Sequence, residues 1–282
     1  MNRMPGWRPP MAGHTPFFVA AAEPRFPYCL YIPKARPPGP APLLIGIHGS
    51  DRRPELLRDI LAPLCDRTGA VLLAPLFAIG STGPDDEPGY KFGLFNGVRY
   101  DRALLAMVDD AARRLPLAID RFAMAGFSGG AQLVLRFMML QPQRLHAVSI
   151  GAPGYVTLLD PSLPWWAGTA DFETIFGHPL DTEAIRRIAI HLAIGGSDTE
   201  TEEIRVPEGH PLWVRGVEKA GPTRISRIEA LDASLRAAGC STQLDYVPNV
   251  AHATKRILPV TAVFLEKQLL ARDVRPAAPA PS

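Results

Sequence analysis

The chain has 282 residues, 47% of them hydrophobic, and 30 Lys and Arg against 28 Asp and Glu leave a formal charge of +2. That length and apolar content suffice for one large core. The even charge balance, with no concentrated basic run, argues against a nucleic-acid partner. No segment reaches the roughly 18 uninterrupted apolar residues of a membrane span, so a soluble protein with no membrane partner is expected.

The N-terminal stretch "MNRMPGWRPPMAGHTPFFVAAAEPRF" is interrupted by prolines, and its apolar piece, residues 17–22, is too short for a signal-peptide core. Cys29, Cys65 and Cys240 are odd in number, widely spaced and without a metal-ligand pattern among the histidines. They read as reduced core thiols of a cytoplasmic protein, with no metal site.

From Leu43 onward short apolar runs alternate with amphipathic patterns: "PLLIGIHG", "PELLRDILAPLCDRTG", "AVLLAPL", "DRALLAMVDDAARRL", "RFAMAGFSGG". This order predicts strand, helix, strand, helix, strand. Leu56, Leu57, Ile60, Leu61 and Leu64 recur at helical spacing, as do Leu104, Leu105, Val108, Ala112 and Leu115. Pro63 predicts a kink or break in the first helix, because it removes a backbone hydrogen bond. The strands are runs rather than alternations, as when helices cover both faces of a parallel sheet.

After the strand "LHAVSIG" the rhythm stops. Residues 152–182, rich in Pro, Gly and aromatics, read as a cap-like insertion. The pattern resumes with the strand in "IRRIAIHLAIGGSDT", a polar excursion, the helix "RISRIEALDASLRAAG", the strand "TQLDYV" and a last helix from about 257 to 272. The organisation is one α/β domain over residues 1–272, with 273–282 a disordered tail.

Gly126, Ser128 and Gly130 form G-x-S-x-G between an apolar strand and a helical pattern. A sharp turn there lifts the serine hydroxyl out of the sheet, and the helix beginning near Gly129 aims free N–H groups at the same place. A serine hydroxyl needs an imidazole to take its proton and a carboxylate to hold that imidazole. On a sheet of this kind the acid and then the histidine follow the serine, each in a loop after a strand. Asp198 stands behind a Gly-Gly turn after one strand, and His252 follows the next. The competing acids lie inside a strand pattern (Asp245), in the insertion (Asp160, Asp171, Asp181) or in the polar excursion (Glu200, Glu202, Glu203). Among the histidines, His146 and His191 belong to strands, while His14, His178 and His210 sit in irregular sequence.

An oxyanion hole needs two N–H donors. Gly129 supplies one, directly after the serine. The loop "IHGSD" supplies the other from Ser50, with Asp51 as the neighbouring possibility and His48 as a loop-bracing residue. Phe127, Trp165 and Trp166 are candidates for the substrate pocket, with Tyr155 and Trp213 fainter ones. The insertion's rings, Phe172 and Phe176 included, could equally serve only to pack the insertion down.

Taken together, "IGIHGS", "AGFSGGAQL", "AIGGSDT" and "VPNVAHAT" resemble the α/β-hydrolase superfamily, and within it esterases related to polyhydroxybutyrate depolymerases and dienelactone hydrolases. The resemblance runs from about Leu43 to Leu270. It implies a mostly parallel eight-stranded sheet flanked by helices, no cofactor, and hydrolysis of small or medium carboxylic esters through an acyl-serine intermediate. Two positions depart from the pattern. His48-Gly49-Ser50-Asp51 stands where many relatives have HGGG, and Ala251 stands where they have glycine. A thioesterase, peptidase or acyltransferase could use the same residues, and a non-catalytic binding protein could inherit the scaffold. Dehalogenase and epoxide hydrolase chemistry is disfavoured, since those relatives carry aspartate in place of Ser128.

Overall fold

Successive residues of a strand point to opposite sides of the sheet, and in this chain both sides are apolar. Leu43, Ile45 and Ile47 enter one buried cluster while Leu44 enters the other, and Val71 and Leu73 are likewise divided from Leu72 and Ala74. A sheet made this way must be covered twice. The computed structural model, which describes residues 12–35 and 38–272, shows that arrangement. The predicted tail at 273–282 lies outside the described residues.

Three N-terminal strands, β1 (Gly13–His14), β2 (Phe18–Ala20) and β3 (Glu23–Ile32), precede β4 (Ala41–Ile47), α1 (Pro54–Thr68) and β5 (Val71–Pro75). A small hairpin, β6 (Leu94–Phe95) and β7 (Val98–Arg99), leads into α2 (Tyr100–Arg114), β8 (Leu117–Phe127), α3 (Gly129–Leu140) and β9 (Leu145–Gly151). The insertion carries one short helix, α4 (Phe172–Phe176), and a second, α5 (Thr182–Arg186), starts at its last residue. Then come β10 (Ala189–Gly195), α6 (Arg224–Ala237), β11 (Thr242–Val247) and α7 (Thr254–Arg272).

Eight strands run in one path, β1-β3-β5-β4-β8-β9-β10-β11, and β2 adds a ninth beside β3. From β5 to β11 every pairing is parallel, whereas β3 pairs antiparallel with β1, β2 and β5. The mostly parallel sheet is thus as expected. The N-terminal strands are an addition that the alternation from Leu43 did not reveal. Pro24 and Pro27 interrupt β3 where its partner β2 is short and bulged between Val19 and Ala20, so a missing N–H costs little there and the strand pattern is hidden.

Helices α2, α3 and α6 share the larger apolar cluster, and α1 and α7 share the smaller one. On the second side the strands offer Ala74, Ala123, Ala125 and Ala147, small residues that let α1 and α7 approach closely. No helix among the described residues is long and apolar enough to cross a membrane. The break foreseen at Pro63 does not occur, and α1 is continuous through it. Pro63 and Asp59, whose carbonyl loses its partner, are both on the exposed side, where water replaces the missing bond.

Between α1 and α7, Arg67 donates two bonds of 2.9 Å to the Glu266 carboxylate, in a setting open to solvent. Beside that pair Leu265 is fully buried with Leu61 and Leu64. An exposed ion pair is worth about 0–1 kcal/mol and a buried leucine about 2–5 kcal/mol against alanine. Urea unfolding is therefore expected to show Leu265→Ala costing several times more stability than Glu266→Ala; equal losses would mean the ion pair holds the helices together.

Candidate active site

In a parallel sheet, groups at the carboxyl ends of neighbouring strands face one crevice, deepest where the strand order reverses. Here that point is β4, which has β5 on one side and β8 on the other. Register brings the ends level: Ile47 pairs with Gly126, Phe127 with Gly151, and Gly195 with Val247. The loops bearing Ser50, Ser128, Asp198 and His252 all leave from this edge.

Between β8 and α3 the chain reverses at a single residue. Ser128 has φ 55° and ψ −118°, a conformation that costs a non-glycine residue about 1–3 kcal/mol. The glycines flanking it explain why the turn is so tight. A side-chain carbon on Gly130 would stand 2.1 Å from the Ile47 carbonyl oxygen, and one on Gly126 would stand 2.4 Å from Gly130 itself. Helix, strand and turn are in backbone contact. The Ser128 side chain makes no capping bond to α3.

Asp198 and His252 lie on adjoining loops. Ser197 N donates to Val250 O at 2.8 Å and Gly196 N to Val247 O at 2.9 Å, which ties the loop after β10 to the loop after β11. Asp198, fully buried, holds the Nδ1 side of His252 at 2.7 Å through Oδ2. The imidazole is half-buried, and its ring lies 4.7 Å from that of Phe127, the residue before the serine. Ser128 and His252 line one cleft of about 460 Å³, together with Ser50, Asp51, Phe127, Tyr155 and other residues discussed below. Among the described residues no hydrogen bond joins Ser128 to His252. Such bonds are commonly loose before substrate binds and tighten afterwards.

Ser50 reaches the same place from the loop after β4. Its Oγ comes within 2.9 Å of the point that a side chain on Gly129 would occupy, so the Ser50 loop and the first turn of α3 face each other across the serine. His48 sits beneath, fully buried, with Nε2 accepting from Phe77 N at 3.0 Å and Nδ1 donating to Gly49 O at 2.8 Å. Burial pushes its pKa down to about 3, so it is a neutral brace for the loop.

Of the pocket candidates, Phe127 and Tyr155 line the cleft, whereas Trp165 and Trp166 do not, and this corrects the sequence reading. Trp166 packs against Phe92 and Tyr155 and donates to Leu212 O at 2.9 Å. Trp165 packs edge-on against Phe172 and Phe176. Arg136, fully buried on α3, lies over both indoles. The rings fasten the insertion to α3, and the insertion reaches the cleft through Gly154 and Tyr155.

Lys91, Gln132 and Arg224 are among the cleft residues that were not anticipated. Arg224 donates to Asp198 Oδ1 at 3.2 Å and to Glu203 Oε2 at 2.8 Å. It is the first residue of α6, behind the Thr223–Ser226 capping box, where the helix dipole disfavours a cation. Its carboxylate partners offset that. Only the helix was visible in sequence; the partners come from the chain after β10, too far away to foresee.

A second serine–histidine–aspartate chain lies in the core. Ser149 Oγ is 2.8 Å from His191 Nδ1, and His191 Nε2 is 3.1 Å from Asp245 Oδ2. Ser149 and His191 are fully buried beneath α7, with Phe264 stacked on the imidazole. Neither side chain has any exposed surface.

Sheet order, the strained serine corner and the loops at the strand ends define the α/β-hydrolase fold. Solved structures agree at that level. The chain is similar to poly(aspartic acid) hydrolase-1 from Sphingomonas sp. KT-1, with a TM-score of 0.71 and 19% identity over 92% of this chain and 98% of that one. It is similar also to LpqC, a poly(3-hydroxybutyrate) depolymerase from Bordetella parapertussis, with a TM-score of 0.68 and 24% identity over 85% and 83% of the two chains. A third is an S-formylglutathione hydrolase from Agrobacterium tumefaciens, with a TM-score of 0.58 and 14% identity over 93% and 96%. No family model and no curated protein matches the chain.

Removing one member of a buried ion pair leaves the other uncompensated, at a cost of about 3–5 kcal/mol. Arg224→Leu is accordingly expected to lower stability by that amount in urea unfolding, and Glu203→Gln, which removes only the exposed partner, by less than about 1 kcal/mol. Equal, small losses would show that Asp198 does not depend on the arginine.

Proposed function

We propose that the chain is a serine hydrolase that cleaves small or medium carboxylic esters. The observation that carries this reading is the pairing of a strained, uncapped Ser128 with an imidazole in the same cleft whose far nitrogen is held by a buried carboxylate. Ser128 Oγ attacks the ester carbon while His252 Nε2 takes its proton. Asp198 keeps the ring in the tautomer with Nδ1 protonated and stabilises the imidazolium. The backbone N–H groups of Gly129 and Ser50 receive the oxyanion. Collapse expels the alcohol oxygen, which takes the proton from His252, and leaves an acyl-serine. Water then attacks that ester with His252 again as base, releasing the acid and restoring the serine.

No step calls on a cofactor or metal. Three buried, unpaired cysteines fit a cytoplasmic setting. We read residues 152–182 as one wall of the site, continuous with a single domain.

A panel of nitrophenyl esters and thioesters of graded acyl length tests the proposal. Ser128→Ala and His252→Ala are expected to lose about 10⁴-fold or more in kcat, and Asp198→Asn a comparable amount, with folding retained. Ser149→Ala, in the buried chain, keeps turnover within a few-fold of the parent. Turnover that survives Ser128→Ala rejects the nucleophile, and a thioester preferred over its matching oxoester moves the assignment to a thioesterase.

A further inference from the structure

Lys91 enters the cleft from the turn of residues Gly89–Phe92, which packs against α3. The turn is held firmly, because Arg136 Nη1 donates to the Lys91 carbonyl oxygen at 2.7 Å. The lysine side chain is only 11% exposed, and its Cε comes within 3.2 Å of the point that a side chain on Gly129 would occupy. The ammonium therefore lies beside the amino end of α3, where the helix dipole adds to its positive potential rather than balancing it.

What surrounds this cation does not neutralise it. The nearest carboxylate oxygen, Glu87 Oε1, is 4.0 Å away on a side chain 65% exposed, a pairing of little worth. Arg52, its guanidinium over the Tyr90 ring, adds like charge. Asp51 and Glu203 are exposed on the cleft's rim, and Glu203 is engaged by Arg224. Further along α3 the buried Gln132 Oε1 has no hydrogen-bond partner. A largely desolvated cation thus shares one cleft with the serine and lacks the anionic partner that a substrate would bring.

We propose that Lys91 anchors a carboxylate carried by the substrate, making anionic esters the preferred substrates of this site. This rests on the ester-hydrolase reading and adds to it a charge requirement. The geometry places the anionic group near the amino end of α3, so a carboxylate on the acyl or the alcohol side could reach it, and the test has an arm for each.

The first pair of substrates is the 4-nitrophenyl monoester of glutaric acid against 4-nitrophenyl valerate. The second is 3-carboxy-4-nitrophenyl butyrate against 4-nitrophenyl butyrate. In at least one pair the ratio of kcat/KM, charged over neutral, is expected to fall at least tenfold in Lys91→Met and to return to within about threefold of the parent in Lys91→Arg. Burial pushes the Lys91 pKa down to about 8, with Arg52 lowering it further and Glu87 opposing. The same ratio is therefore expected to fall in the parent protein as pH rises through about 8, where the lysine loses its charge.

A measurement without turnover stands beside these. By calorimetric titration the parent protein is expected to bind glutarate at least fivefold more tightly than glutaramide, and Lys91→Met to lose that difference. Neutral esters that turn over while Lys91→Met moves neither ratio refute the anchor alone. No ester turning over refutes the hydrolase reading, and equal affinities for glutarate and glutaramide refute the anchor whether or not esters are cleaved or the variant folds.

Discussion

The contact on which the site depends is backbone against backbone: the second residue of α3 pressed onto the last carbonyl of β4. Only hydrogen fits at Gly130, because a carbon there would stand 2.1 Å from Ile47 O. With the helix this close to the strand, β8 has one residue in which to reverse, and that residue takes a positive φ at Ser128. The strain is about 1–3 kcal/mol. Every residue of α3 is buried, from Gly129 to Leu140, and the apolar area so removed from water far exceeds that cost. The core thus holds a local conformation that the serine would not choose alone.

The two serine–histidine–aspartate chains show what that conformation contributes. By hydrogen bonding alone the buried one is the more complete, since Ser149, His191 and Asp245 form an unbroken chain. Ser149, however, is an ordinary position in a parallel ladder between β8 and β10, with its hydroxyl also bonded to Thr261 under α7. Burial lowers the pKa of His191, and its partner Asp245 lies on the exposed end of the chain. These groups satisfy one another in place of water, which is what buried polar groups must do. Ser128 differs by standing outside the ladder, at a corner, with no capping bond and an open cleft before it.

This contrast explains how far the sequence could be read. Gly126, Ser128, Gly130, Asp198 and His252 were legible because each sits at the carboxyl end of an apolar run, and parallel register then levels those ends whatever the loops between them do. The glycine at the end of β10 belongs to the same logic, for a carbon on Gly195 would stand 2.3 Å from Val250 O, where the Asp198 and His252 loops touch. The indoles were not legible. Trp165 and Trp166 have the chemistry of a pocket, and only the location of Arg136, far away in sequence, shows that they clasp an arginine instead. Lys91 lies in a segment between β5 and α2 with no periodicity at all. Arg224 opens a recognisable helix, yet its partners could be assigned only after the excursion had folded back.

Charge in the cleft is consequently arranged in two layers. Deep down, Arg224 and Asp198 form a closed pair, with the second carboxylate oxygen left for His252. In the proposed reaction the imidazole becomes positive beside a carboxylate whose other oxygen accepts from a guanidinium. Nearer the opening, Lys91 has no such closure. A cation locked to a carboxylate can position a reacting group but cannot recognise a ligand, whereas one left half-desolvated gains most when an anion arrives, because its solvation has already been given up in folding. Arg224 fits the first task and, in the proposal made above, Lys91 the second, and both line the cleft that holds Ser128.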